Sequence, residues 1–162
     1  MTTRIEDMTI DTFEVTEANR TAYNICQQML QNPDGFRLVF FHLPAHERLH
    51  LKHAIIHYWG NSVKWQSITA SVLVNDLITA IKEGTWSDDS TKYIEPDVLL
   101  FDDAQHLTGK TQTQRELYII LKQRLESKKL TVIFSECDMS SLRNIMSDEL
   151  FHLINMGIAD IE

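Results

Sequence analysis

At 162 residues, 43% of them hydrophobic and 23% charged, the chain has an ordinary globular composition, long enough to bury a core as one domain over residues 1–162. No apolar run approaches the ~20 residues of a membrane span, and the opening MTTRIEDMTIDTFE has neither an apolar core nor a cleavage site, which sets membrane and secreted classes aside and makes a cytoplasmic setting the expectation. A net charge of −8 opposes phosphate backbones, so direct DNA binding is not expected.

Residues 16–31 place Ala22, Ile25, Cys26, Met29 and Leu30 on one helical face, with Thr16 as the N-cap. Asn32-Pro33-Asp34-Gly35 has turn chemistry. Phe36 to Leu43 (FRLVFFHL) reads as the first buried strand, and residues 45–59 as a helix. A strand over 64–68 and a helix over 69–82 follow, then a loop or short irregular stretch at 84–95 (GTWSDDSTKYIE). Next come a strand at 97–101, a helix near 111–128, a strand at 131–135, a helix near 139–153 and a last strand at 157–161. Strands alternating with helices predict an α/β fold, a five-stranded parallel sheet in a three-layer αβα sandwich.

Cys26 and Cys137 lie in separate elements without CxxC spacing and read as reduced thiols. Lys128-Lys129 reads as a solvated helix end. Trp59, Trp86 and Tyr93 would anchor a protein partner if exposed, although burial in the core is the simpler expectation.

His46-Glu47-Arg48-Leu49-His50 matches H-E-x-x-H, which puts two imidazoles on one helical face for zinc with a glutamate between them as general base. His53 and His57 extend the stripe. No third ligand follows downstream, so no metal is expected; a zinc hydrolase built on His46, Glu47 and His50 is the third-ranked reading.

Residues 96–114, PDVLLFDDAQHLTGKTQTQ, are the most specific stretch. Val98-Leu99-Leu100-Phe101 is an apolar run that ends in Asp102 and Asp103, at the strand end where open α/β sheets place ligands. The string resembles the Walker B region of the bacterial replication initiator DnaA and its relative Hda, DD-x-Q-x-L-x-G-K-x-x-T-Q. Further segments are similar to that family: Leu49-His50-Leu51-Lys52-His53-Ala54-Ile55 to its T-H-L-L-H-A-I helix, Asn75-Asp76-Leu77-Ile78-Thr79-Ala80-Ile81 to N-E-F-I-N-A-I, and Gly157-Ile158-Ala159-Asp160-Ile161 to its final core strand. The resemblance implies an AAA+ base domain, with Asp102 and Asp103 as Walker B-like acids, Ser135 at the sensor 1 place, and Val15 and Asn19 on the adenine side of any nucleotide.

The family's G-G-x-G-x-G-K-T phosphate loop falls on His42-Leu43-Pro44-Ala45-His46-Glu47-Arg48-Leu49. No glycine is present to turn backbone N–H groups around a phosphate, Arg48 stands in the lysine place, and Leu49 removes the hydroxyl that Mg²⁺ uses. Leu153 stands where the family carries its arginine finger. The sequence stops at Glu162, ahead of the family's helical lid and helix-turn-helix domain, so neither is expected here. These departures imply a pseudo-ATPase without a required cofactor, which binds DnaA, another replication factor or itself and so modulates initiation. A regulator that retains ADP or ATP through Val15 and Asn19 without hydrolysis is the second reading.

Overall fold

The structure, a computed structural model, describes residues 3–159. Four apolar runs form its sheet: β1 (Leu38–His42), β2 (Trp65–Thr69), β3 (Val98–Asp102) and β4 (Leu130–Ser135). All pair in parallel in the order β1-β4-β3-β2. The central β3 and β4 are buried along their whole length, whereas the edge strand β2 exposes Trp65. This is why the central pair reads as continuous apolar sequence: both faces are covered.

Alternate strand residues feed two separate cores. Leu38, Leu99, Phe101 and Ile133 face one layer, with Leu73 of α3 (Ala70–Glu83), Leu117 and Leu121 of α6 (Thr111–Glu126), and Leu150 and Ile154 of α8 (Asp148–Ala159). Val39, Phe41, Leu100, Val132 and Phe134 face the other, with Met29 and Leu30 of α1 (Arg20–Gln31) and Leu51 and Ile55 of α2 (Ala45–Trp59). The three layers follow from this period-two alternation. Each fully buried Leu or Ile contributes roughly 1.5–3 kcal/mol relative to exposure.

Several sequence expectations need correction. The sheet has four strands among the described residues, not five. Gly157 and Ile158 continue α8, because Leu150, Ile154, Gly157 and Ile158 keep helical spacing onto the core; Asp160 and Ile161 lie outside the described residues. The helix expected over 139–153 is two: α7 (Met139–Leu142), capped by Asp138 Oδ1 accepting from Ser141 N at 2.8 Å, and α8, whose entry Ser147 Oγ accepts from Leu150 N at 3.2 Å. Residues 84–95 are not irregular but hold α4 (Trp86–Asp89) and α5 (Thr91–Ile94). Thr16 is not an N-cap. Asn19 takes that position, and the two residues exchange hydrogen bonds, Thr16 N to Asn19 Oδ1 at 2.7 Å and Asn19 N to Thr16 Oγ1 at 3.3 Å.

Trp59 and Tyr93 are buried, and Trp86 is half-buried with its indole N–H donating to Glu116 Oε2 at 2.9 Å. Lys128 terminates α6 in a left-handed conformation, φ 57°. Arg124 of α6 is fully buried; its guanidinium donates to the carbonyls of Tyr93, Ile94, Pro96 and Leu130 and to Thr131 Oγ1. It therefore ties the C-terminus of α5 to the entries of β3 and β4. Among the described residues, no helix is long and apolar enough to cross a membrane.

Candidate functional site

The carboxyl ends of β1, β3 and β4 converge because the parallel register sets His42 beside Ser135 and Phe101 beside Ile133. The ladder runs one step past β1, with Leu43 N donating to Ser135 O at 3.2 Å. Pro44 then turns the chain at φ −58°, ψ 156°, and α2 starts at Ala45. Proline suits this place, since its fixed φ and missing N–H cost nothing at a helix entry.

One turn into α2, Arg48 points back at the strand ends and is 5% exposed. Its Nε donates to Asp102 Oδ1 at 3.2 Å, its Nη1 to Leu43 O at 2.8 Å and its Nη2 to Asp103 Oδ1 at 3.0 Å. Lys52, one turn further, sets Nζ 3.7 Å from the other Asp102 oxygen. Two cations thus face two carboxylates, and these charge-assisted hydrogen bonds offset the cost of burying Arg48 and Asp102. Among the described residues, no buried side-chain polar atom lacks a partner.

The acids are held from behind as well. Asp103 adopts the left-handed region, φ 60°, ψ 41°, which aspartate tolerates, and its N–H donates to Asp102 Oδ1 at 2.7 Å. Gln105 donates from Nε2 to Asp103 Oδ1 at 3.1 Å, and its Oε1 accepts from Glu136 N at 3.0 Å. A continuous polar chain therefore joins α2, the end of β3 and the segment after β4. Ser135 is fully buried, with Oγ accepting from Cys137 N at 3.1 Å, as a strand-end hydroxyl that turns the chain.

The remaining candidates divide. Asn19 is buried; its amide donates to Glu14 O at 3.0 Å and to Glu47 Oε1 at 3.2 Å, so it braces the entry of α1 against α2. Val15 packs on the apolar cluster around Phe13. His46 is exposed and 3.9 Å from Glu47, whereas His50 Nε2 bonds to Thr9 O at 2.9 Å and its ring meets Phe13 edge-on at 5.2 Å. His57 likewise holds Met8 O at 3.1 Å. These imidazoles fasten the N-terminal segment to α2, and among the described residues no group of three or more His, Cys, Asp or Glu could hold a metal ion. Burial lowers the His53 pKa, with the charges of Lys52 and His57 acting in the same sense. His42 ends its strand exposed, Leu49 is 38% exposed, and Leu153 packs against the core from α8. A cleft of about 540 Å³ opens beside the site between the N-terminal segment and α2, walled by Thr12, Phe13, Glu14, His46, Glu47 and His50.

The pairing of Arg48 and Lys52 with the two aspartates is absent from the sequence pattern, which includes Gln105 without assigning it a role. One signal was available for Lys52: a lysine stands where the similar helix pattern carries a leucine.

A model of the bacterial DnaA ATPase domain matches residues 5–160. The chromosomal replication initiator protein DnaA of Pseudothermotoga lettingae is 30% identical over 156 residues, covering 93% of this chain and 35% of that protein. The chain spans about a third of the length of the curated relatives it matches. Among solved structures, domain III of the Thermotoga maritima replication initiation protein DnaA superposes with a TM-score of 0.86 at 30% identity, over 94% of this chain and 65% of that one. The DnaC helicase loader shares the fold at a TM-score of 0.78 and 17% identity, over 96% of each chain.

Proposed function

The chain belongs to the bacterial DnaA ATPase-domain family, and from that premise we propose that it acts in replication initiation by protein association, without hydrolysing ATP. The observation that carries this reading is the connection from β1 to α2. The strand ends at His42 and the helix begins at Ala45, so two residues, Leu43 and Pro44, span the place of the phosphate loop. No glycine lies between Gly35 and Gly60. A phosphate cradle needs several successive N–H groups turned inward; Pro44 has none and Leu43 N is bound to Ser135 O.

The acid pair supports the same reading. Mg²⁺ in such sites sits on one or two carboxylates with water and phosphate oxygens completing six ligands. Here Asp102 and Asp103 already face Arg48 and Lys52, so these residues do not suit a metal–nucleotide pair. Leu153 at the finger position brings no cation to a neighbour's site.

The partner this reading favours is a DnaA-type initiator, with another replication factor or a second copy of the chain as the other occupants, in a cytoplasmic setting. Association uses surfaces separate from the strand ends, so losing hydrolysis leaves them available. Sedimentation of the protein with its host's initiator at micromolar concentration tests this. A faster-sedimenting complex is expected, formed equally with and without ATP; no association, or ATP turnover by the protein alone, would overturn it.

A further inference from the structure

We infer that the Arg48 guanidinium is a tethered counter-ion in place of a nucleotide-bound metal, holding the strand ends in one state whatever nucleotide is present. The inference rests on the reading of a domain that does not hydrolyse ATP and specifies how its former site is regulated: it is closed from within.

The geometry is that of a fitted ligand on a short stalk. Three nitrogens of one planar group meet oxygens of three residues on two segments: Asp102 and Asp103 at the end of β3 and the Leu43 carbonyl after β1. A planar fork matches such a set of acceptors, which a point charge cannot do. With Lys52 on the remaining Asp102 oxygen, two positive charges meet two negative ones. Adding a divalent ion would leave this set with two excess positive charges, and Asp102 Oδ1 and Asp103 Oδ1 are already turned to guanidinium hydrogens. Gln105 extends the lock to Glu136 N, so the same group that neutralises the acids also fixes the segment after β4.

The test is thermal denaturation of the full chain and of Arg48→Ala, each alone and with magnesium chloride, magnesium–ATP, methylguanidinium chloride or sodium chloride at matched ionic strength. For the native chain, no additive except ionic strength itself is expected to move Tm. Arg48→Ala, which leaves the buried Asp102 and the half-buried Asp103 against Lys52 alone, is expected to lose roughly 10 °C. Millimolar methylguanidinium should restore part of that loss, and sodium chloride should not. The proposal is overturned if magnesium or magnesium–ATP raises the native Tm, if Arg48→Ala is as stable as the native chain, or if methylguanidinium restores no more than salt. Should Arg48→Ala fail to fold, Arg48→Lys serves instead: with the charge kept and the fork lost, its Tm should lie below that of the native chain, and an unchanged Tm would overturn the proposal. A chain that shows this pattern yet binds no initiator sinks the functional reading alone, and one that binds its initiator but is stabilised by magnesium sinks this inference alone.

Discussion

Gly157 of α8 lies so close to Leu38 of β1 that a Cβ built on it would stand 3.0 Å from the Leu38 Cβ and 3.2 Å from Leu125 Cδ2. The Leu38 Cβ is fixed to the backbone of β1 and cannot swing aside, so α8 itself would have to lift. Alanine gains about 1 kcal/mol of helix propensity over glycine, while overpacking a tight core costs roughly 1–3 kcal/mol. Gly157→Ala is therefore expected to lose on the order of 1 kcal/mol, a fall of about 2–4 °C in Tm for a chain of this size. An unchanged or higher Tm would mean that α8 is not seated on β1 as described.

That contact also explains where the sequence reading stopped short. β3 and β4 were legible because strands covered on both faces show unbroken apolar runs, and α2 and α3 because their apolar residues recur at helical spacing. On sequence Gly157 fits the opening of a strand, since in a short segment a glycine followed by Ile158 and Ala159 suits either period; only its depth against Leu38 favours the helix. The four-residue helices α4 and α5 are too short to show any period. The place of Asp102 and Asp103 at a strand end was legible from the apolar run that precedes them. Their pairing with Arg48 was not, because 54 or more residues separate the partners and no local rule joins them.

Arg124 is a buried cation whose partners are carbonyl oxygens and one hydroxyl. Burial pulls its pKa down to about 10, with the Asp97 charge acting in the opposite sense, so it stays charged at neutral pH. Replacing it by methionine keeps much of the apolar stem but leaves the carbonyls of Tyr93, Ile94, Pro96 and Leu130 without this donor. Loss of roughly 3–5 kcal/mol is expected, read as a lowered urea midpoint at unchanged slope. Arg124→Lys should recover only part of it, since an ammonium has three donors and no fork.

Tyr93 and Asp76 make opposite pH limbs. Burial pushes the Tyr93 phenol up, and its hydrogen bond to Asp76 and the nearby Asp76 and Asp89 charges push it further. A phenol raised in the folded state stabilises the fold below its unfolded pKa of about 10, and that share is lost as pH rises past it. Partial burial pushes Asp76 up, but hydrogen bonds from Tyr93 and Lys92, with the Lys92 charge, leave its carboxyl below the ordinary value. Its share is present above about pH 4 and is lost as pH falls through the folded pKa. Tyr93→Phe should accordingly flatten the alkaline limb of a Tm–pH profile. It should cost about 0.5–1.5 kcal/mol at neutral pH from the lost hydrogen bond. An alkaline limb identical to that of the native chain would show that the phenol is not held as described.

The phosphate loop gives the sharpest contrast between charge and backbone. If a missing lysine were all that kept ATP out, Arg48→Lys would restore binding, because lysine is the residue the family pattern carries there. The backbone argues otherwise. Leu43 N already serves Ser135 O, Pro44 has no N–H, and Arg48 N closes the first turn of α2 on Pro44 O at 3.0 Å. Leu43 N and Arg48 N thus belong to the sheet and the helix and Pro44 offers no donor, which breaks the run of successive N–H groups that wraps a phosphate. Calorimetry should therefore detect no ATP binding by Arg48→Lys at micromolar protein. Exchanging residues 42–49 for the G-G-x-G-x-G-K-T pattern should restore some, because it supplies glycines that can turn the N–H groups inward as well as the charge and the hydroxyl. Binding by Arg48→Lys alone would show that charge was the barrier, and that the helix start at Ala45 yields easily to a nucleotide.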